Sequence, residues 1–285
     1  METCDFRRLL EERWDEGKFL CVGLDSDYRK IPQAIRDRHS DVGAAIEVFS
    51  CAIIDATANL VCAYKPNLAF FLAHGEAGFR ALKATISYSH AAAPNVPVIL
   101  DAKDADIGNT NEGYYDMAFK ELRADAVTVN PYLGREALSP FLDRHPLKGI
   151  IVLCRTSNLG AGEFQDLEVA PGEMLYQRVA RNVAEQWNNN GNCAVVVGAT
   201  YPDELAKVRQ IVGDLPILIP GIGTQLGDVR RAVNAGRDHR GKGMIINASR
   251  AVLFASSGED FAEAARNEAS EIDSDIRAAL KAGAA

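Results

Sequence analysis

The sequence is short of several things, and each shortage excludes a class of protein. It has five histidines in 285 residues, and His39, His74, His90, His145 and His239 show no H-x-H or H-E-x-x-H spacing. The usual frame of a histidine-bound metal is therefore missing. The six cysteines, Cys4, Cys21, Cys51, Cys62, Cys154 and Cys193, form no C-x-x-C pair, and five lie in apolar runs. A thiol there packs as a small hydrophobe, so neither a disulfide nor a zinc site is expected. Long apolar runs are absent, and the Met-Glu-Thr-Cys-Asp start lacks the basic-then-apolar order of a secretory signal. No membrane contact and a cytoplasmic location are the expectation. Positive charge is also scarce: 31 Lys+Arg against 39 Asp+Glu leave a formal −8. That balance argues against nucleic acid or an anionic membrane as partner, because both need a concentrated basic field.

What is present is an ordinary globular composition, 47% hydrophobic and 25% charged, enough for one large core or two smaller ones. Short Val- and Ile-rich runs recur at residues 19–25, 61–67, 97–103, 126–131, 149–155, 193–200, 216–221 and 244–249. Most are continuously apolar at their start, as parallel strands covered on both faces are. Helical patterns at 42–60, 76–90, 112–122, 174–187, 203–212 and 228–234 separate them, and a last one spans 259–280. Alternating strands and helices fit either a doubly wound open sheet or a closed barrel. Eight units in about 250 residues are the usual size of an α/β, (β/α)8 TIM barrel. The expectation is a single domain over 1–285, with an extra helix at about 6–16 closing the bottom and the barrel at about 19–280.

Chemistry in such barrels sits at the C-terminal ends of the strands. On the third strand, Asp101 and Lys103 are two residues apart, so strand alternation predicts both side chains on the interior face. Lys65 ends the neighbouring strand and Asp106 follows in the loop, so the four are expected to form an alternating array of charge. Carboxylate and ammonium groups there are costly unless paired or working. The charges alone also fit an ion-pair network without catalytic duty; their place at the strand ends favours function. After the seventh strand, Pro220-Gly221-Ile222-Gly223-Thr224-Gln225 offers backbone N–H groups to an anion, and Arg250 ends the eighth with a donor fork suited to phosphate. A glycine turn beside a solvated arginine is the plainer alternative. A dinucleotide fingerprint at Gly221, Gly223 and Gly227 fails on context, since only one further strand follows. Other strand-end groups are weaker signals. Asp25 fits a helix cap, Ser157 and Asn158 fit a turn, Thr110 fits the cap of a helix starting near Asn111, and Cys154 has no adjacent base.

Asp101-Ala-Lys103-Asp-Ala-Asp106-Ile-Gly-Asn-Thr110 resembles the D-x-K-x-x-D-I-G-x-T signature of the orotidine 5′-phosphate decarboxylase family. Leu20-Cys-Val-Gly-Leu-Asp25, Lys65-Pro-Asn-Leu-Ala-Phe-Phe71, Val127-Thr-Val-Asn-Pro-Tyr-Leu-Gly134, Arg155-Thr-Ser-Asn158, Pro220-Gly-Ile-Gly-Thr-Gln225 and Asn247-Ala-Ser-Arg250 resemble, in order, motifs of its longer bacterial branch. The resemblance runs from the first strand to the eighth. It implies conversion of orotidine 5′-phosphate to UMP and CO2 without metal or organic cofactor. It further implies Lys103 as proton donor to C6, Asp101 facing the substrate carboxylate and Lys65 holding Asp101 and touching the ribose. By the same resemblance Asp25 binds ribose, Ser157 the pyrimidine, and Gln225 and Arg250 the phosphate, with Pro220, Gly221 and Gly223 counted among the substrate-binding residues. A homodimer follows, in which Asp106 and Thr110 reach the partner's site. Two departures stand out: Asp104-Ala105 replaces the branch's usual Arg-Gly or Lys-Gly, and Leu159 replaces a common proline. The 158–173 segment, with three glycines, is a candidate lid. Other readings of the same residues are a Mg2+-dependent sugar-phosphate decarboxylase or aldolase of related fold, and a catalytically silent nucleotide-binding barrel; the intact Lys65, Asp101, Lys103 and Asp106 set argues against the last.

Overall fold

The computed structural model describes residues 5–222 and 226–282. Ten strands form: β1 (Leu20–Leu24), β2 (Val61–Pro66), β3 (Ile99–Asp104), β4 (Ala126–Val129), β5 (Gly149–Arg155), β6 (Glu168–Ala170), β7 (Glu173–Met174), β8 (Cys193–Val197), β9 (Ile217–Pro220) and β10 (Met244–Ala248). Eight make one sheet in the order β2-β1-β10-β9-β8-β5-β4-β3, while β6 and β7 pair as a separate antiparallel hairpin. Every ladder in the large sheet is parallel, and β1 pairs with both β2 and β10. The two ends, β2 and β3, meet through the isolated bridges Tyr64↔Val98 and Asn67↔Asp101. The sheet thus curls into the expected (β/α)8 barrel, and the open doubly wound alternative falls away.

The continuous apolar runs are strands because both faces are covered: β1, β2, β4, β8 and β10 are buried at every position. The expected helices form around them, with adjustments that local chemistry explains. Val42–Thr57 starts where the Asp41 carboxylate accepts the Gly43 N–H. The helix expected at 112–122 begins earlier, at Gly108, and continues after Tyr115 as a π-helical stretch, Asp116–Glu121. Thr110 therefore sits inside the first turn and does not cap it. The expected list of helices lacked Gly134–Leu142, which carries Pro140 in its interior.

The extra N-terminal helix spans Phe6–Asp15 and closes the bottom of the barrel. Phe6 lies where any Cβ on Gly149, the first residue of β5, would collide with its ring. Trp14 donates its indole N–H to Met244 O at the start of β10, and Arg13 donates to Val61 O at the start of β2. These bonds tie the helix to the first residues of two strands. No helix among the described residues is long and apolar enough to cross a membrane.

Candidate active site

Asp101 is the hub of the barrel mouth. Its Oδ2 accepts from Lys65 Nζ at 2.9 Å and from Asn67 Nδ2 at 3.1 Å. Its Oδ1 accepts from Lys103 Nζ at 2.5 Å and Thr128 Oγ1 at 2.9 Å. Lys65 also stands 3.6 Å from the Asp25 carboxylate. Burial works against the charge on both Asp101 and Lys65, and in both cases the opposite charges outweigh it. The two ammonium groups hold Asp101 well below the usual carboxylate range, and Asp101 with Asp25 holds Lys65 above the usual lysine range. Both groups are therefore ionised at neutral pH.

Strand alternation brought Asp101 and Lys103 together in the sequence reading, but a bulge does so in the structure. Ladder partners run Leu100↔Val127 and then Asp104↔Val129, so Thr128 alone faces Asp101, Ala102 and Lys103. Lys103 adopts φ 57, a left-handed conformation that costs an L-residue about 1–2 kcal/mol. Its N–H donates to Thr128 Oγ1 at 3.0 Å. The side chain bends back over Asp101 with 45% of its surface exposed, so the ammonium meets both a buried carboxylate and open solvent.

Asp106 does not join that cluster. Among the described residues no hydrogen bond or ion pair links it to Asp101, Lys103 or Lys65. Its carboxylate accepts the Ile107 N–H at 2.6 Å, and its backbone is clamped on both sides by buried Asn111. Asn111 Oδ1 accepts the Asp106 N–H at 2.9 Å, while Nδ2 donates to Asp106 O at 2.7 Å and Ala137 O at 2.6 Å. Thr110 is exposed on the same loop-helix junction. Asp25, expected as a possible cap, takes the fourth place in the charge cluster instead; the nearby cap is Asp27, which accepts the Arg29 N–H. Asp104, one of the two departures, is half-buried, and burial raises its carboxyl above the usual range.

At the end of β5, Arg155 is buried, donates to Asp166 Oδ2 at 3.0 Å and stacks 4.0 Å from the Tyr201 ring centroid. Gln165 bonds both the N–H and the hydroxyl of Thr156. The 158–173 segment is thus tied to the strand end at Gln165 and Asp166, although Leu159 stands 98% exposed. Ser157 sits against Gly198, where a Cβ would come within 2.7 Å of the serine Cβ, and Gly221 lies nearby at φ +97, a conformation that favours glycine. Pro220 ends β9, and Arg250 is exposed at the start of the short helix Arg250–Leu253. The expected phosphate contacts Gly223 and Gln225 lie outside the described residues. Arg231, not singled out in the sequence, lines a cavity of about 150 Å3 with Ala199, Thr200, Pro202 and Gly221. A larger cavity, about 600 Å3, lies on the flank between β5 and the helix Leu175–Asn182, away from the charges, and carries no group placed to act on a substrate at the mouth.

Asn67, Thr128, Asn111 and Arg231 are the site-side residues that the sequence reading missed. Asn67 carried a faint signal: it follows Lys65-Pro66 at a strand end, where its Oδ1 also caps the helix Leu68–Leu72. Burial pushes the Cys154 thiol up to about 12, in keeping with its reading as core. Among the described residues no group of three His, Cys, Asp or Glu side chains is placed to hold a metal ion.

Residues 18–266 match the family model described as orotidine 5′-phosphate decarboxylase / HUMPS family. Relatives named orotidine 5′-phosphate decarboxylase include one from Azoarcus sp. strain BH72, 51% identical over 92% of this chain and 94% of its own length. Another, from Cupriavidus metallidurans, is 52% identical over 93% of this chain and 94% of its own. The solved structure of Leishmania donovani OMP decarboxylase superposes with a TM-score of 0.81 at 38% identity, covering 96% of this chain and 99% of that one. Barrel, strand-end array and relatives agree, and this chain belongs to the orotidine 5′-phosphate decarboxylase family.

Proposed function

We propose that this barrel, as one domain, decarboxylates orotidine 5′-phosphate to UMP and CO2, a carboxy-lyase step of pyrimidine synthesis, with Lys103 as the acid. The supporting observation is the Lys103 ammonium, half-exposed at the barrel mouth and held 2.5 Å from ionised Asp101. Breaking the bond between C6 and the carboxylate leaves an electron pair on C6 that the pyrimidine ring delocalises poorly. An ammonium at that point stabilises the developing charge and then transfers its proton to C6. The amine regains a proton from water. Every charge the step needs is supplied by the side chains, so no cofactor is invoked. Asp101 faces the substrate carboxylate and fixes the lysine, while Lys65 and Asp25 lie beside it for the ribose hydroxyls. Ser157 contacts the pyrimidine.

Pro220, Gly221, Gly223, Gln225 and Arg250 take the phosphate. Binding energy there orients C6 over Lys103 without touching the reacting bond. Arg250→Ala is expected to lower kcat/KM by about 10²-fold for the phosphorylated substrate, the scale of losing a charge-assisted phosphate contact. Steady-state kinetics check this, and an unchanged kcat/KM removes Arg250 from the phosphate site.

Asp106 and Thr110 are assigned to the partner's site in a homodimer. In support, Ile107 beside them is 57% exposed and Tyr132 on the neighbouring loop 81% exposed, apolar surface suited to a second copy. The five cysteines among the described residues are all free, which fits a reducing, cytoplasmic setting. The deciding experiment is the fall in orotidylate absorbance on adding purified protein with excess chelator. Orotidylate left unchanged, with Mg2+-dependent turnover of a sugar phosphate, points instead to that metal-dependent chemistry, and tight UMP binding without turnover to a silent barrel.

A further inference from the structure

We propose that Thr128 is a positioning residue for the reaction, setting both the backbone of Lys103 and the carboxylate of Asp101 through one hydroxyl. The proposal rests on the reading of Lys103 and Asp101 given above.

Thr128 lies in the apolar strand Ala126–Val129 and is fully buried. Valine would fill the same volume there without bringing a polar group into the core. The hydroxyl is nevertheless fully used. It accepts the Lys103 N–H at 3.0 Å and donates to Asp101 Oδ1 at 2.9 Å. The ladder explains why it is needed. Between Leu100↔Val127 and Asp104↔Val129 the β3–β4 pairing skips residues 101–103, so Lys103 N–H has no strand partner. Thr128 supplies the acceptor from its side chain and so holds Lys103 at φ 57. The same hydroxyl completes the four donors around Asp101, two on each oxygen. Lys103 is thereby fixed at its backbone N–H by Thr128 and at its Nζ by Asp101, and both anchors share one carboxylate oxygen. A residue held at both ends keeps its ammonium within the narrow range that proton delivery to one carbon requires.

The test compares Thr128→Val and Thr128→Ser with the parent, measuring kcat and KM for orotidine 5′-phosphate, the Kd for UMP and the melting temperature. Thr128→Val is expected to lower kcat about 10- to 100-fold, the scale of a misplacement near 1 Å, with KM and the UMP Kd within about threefold. Thr128→Ser keeps the hydroxyl and is expected to stay within about threefold of the parent in kcat. A folded Thr128→Val with kcat within twofold of the parent overturns the proposal. So does a Thr128→Ser protein that loses as much as the valine variant, since keeping the hydroxyl would then not preserve the rate and the loss would follow any change of packing at this position. That second comparison with the parent decides the matter if the valine variant fails to fold. If the parent itself leaves orotidine 5′-phosphate unchanged, the underlying reading falls and this inference with it, an outcome visible before any variant is made.

Discussion

Alanine in place of Lys103 is expected to lower kcat by about 10⁵-fold or more while UMP still binds within about tenfold of the parent. The size follows from two losses at one atom. General acid catalysis contributes about 10²–10⁴-fold, and a charge aimed at the developing anion about 10²–10³-fold. Both reside in the same ammonium. The fold should tolerate the change, because Asp101 keeps Lys65, Asn67 and Thr128 as donors and the Lys103 side chain is already half-exposed. UMP has a C6 hydrogen where the substrate has a carboxylate, so its binding depends little on the missing cation. Trapped CO2 and calorimetric titration with UMP read the two quantities separately. Decarboxylation within tenfold of the parent would take the acid role from Lys103.

The second large effect is a gain. Lys103→Ala and Asp106→Ala proteins, each inactive alone, should recover about a quarter of parental activity after subunit exchange, because an isologous dimer of one of each carries one intact site. The structure motivates this through separation. Among the described residues Asp106 makes no bond to the charge cluster of its own chain, yet buried Asn111 holds its backbone with two hydrogen bonds and is itself anchored to Ala137 O by a third. An ordering device of that kind on an exposed loop has a purpose if the carboxylate serves a neighbour. Exchange shown by native mass spectrometry without recovery of activity would confine each site to one chain.

The barrel was legible in the sequence because β/α repetition writes itself in local periodicity, and every expected strand overlaps an observed one. Lys65 and Asp101 were legible for the same reason, since strand ends in a barrel share one rim, whereas Asp25 fitted a helix cap equally well. The reading failed where register decides. Asp106 was expected in the array because it follows Lys103 by only three residues in the loop, but the bulge at 101–103 and the left-handed Lys103 break the strand geometry which that nearness assumes. Thr128 read as an ordinary β-branched strand residue, because its role exists only across the ladder from Lys103. Asn111 and Arg155 were silent similarly: what each holds, Ala137 in one case and Asp166 in the other, lies 26 and 11 residues away.

The closure of the sheet carries one more consequence. Seven of the junctions around the barrel are ladders, some with bulges, but β2 and β3 pair only through two isolated bridges among the described residues. Across that seam run the bonds from Lys65 and Asn67 to Asp101. The groups assigned to chemistry are therefore also the stitching of the thinnest joint in the wall. Replacing Asp101 with an apolar residue is therefore expected to loosen this seam as well as to remove the chemistry, so the two losses arrive together.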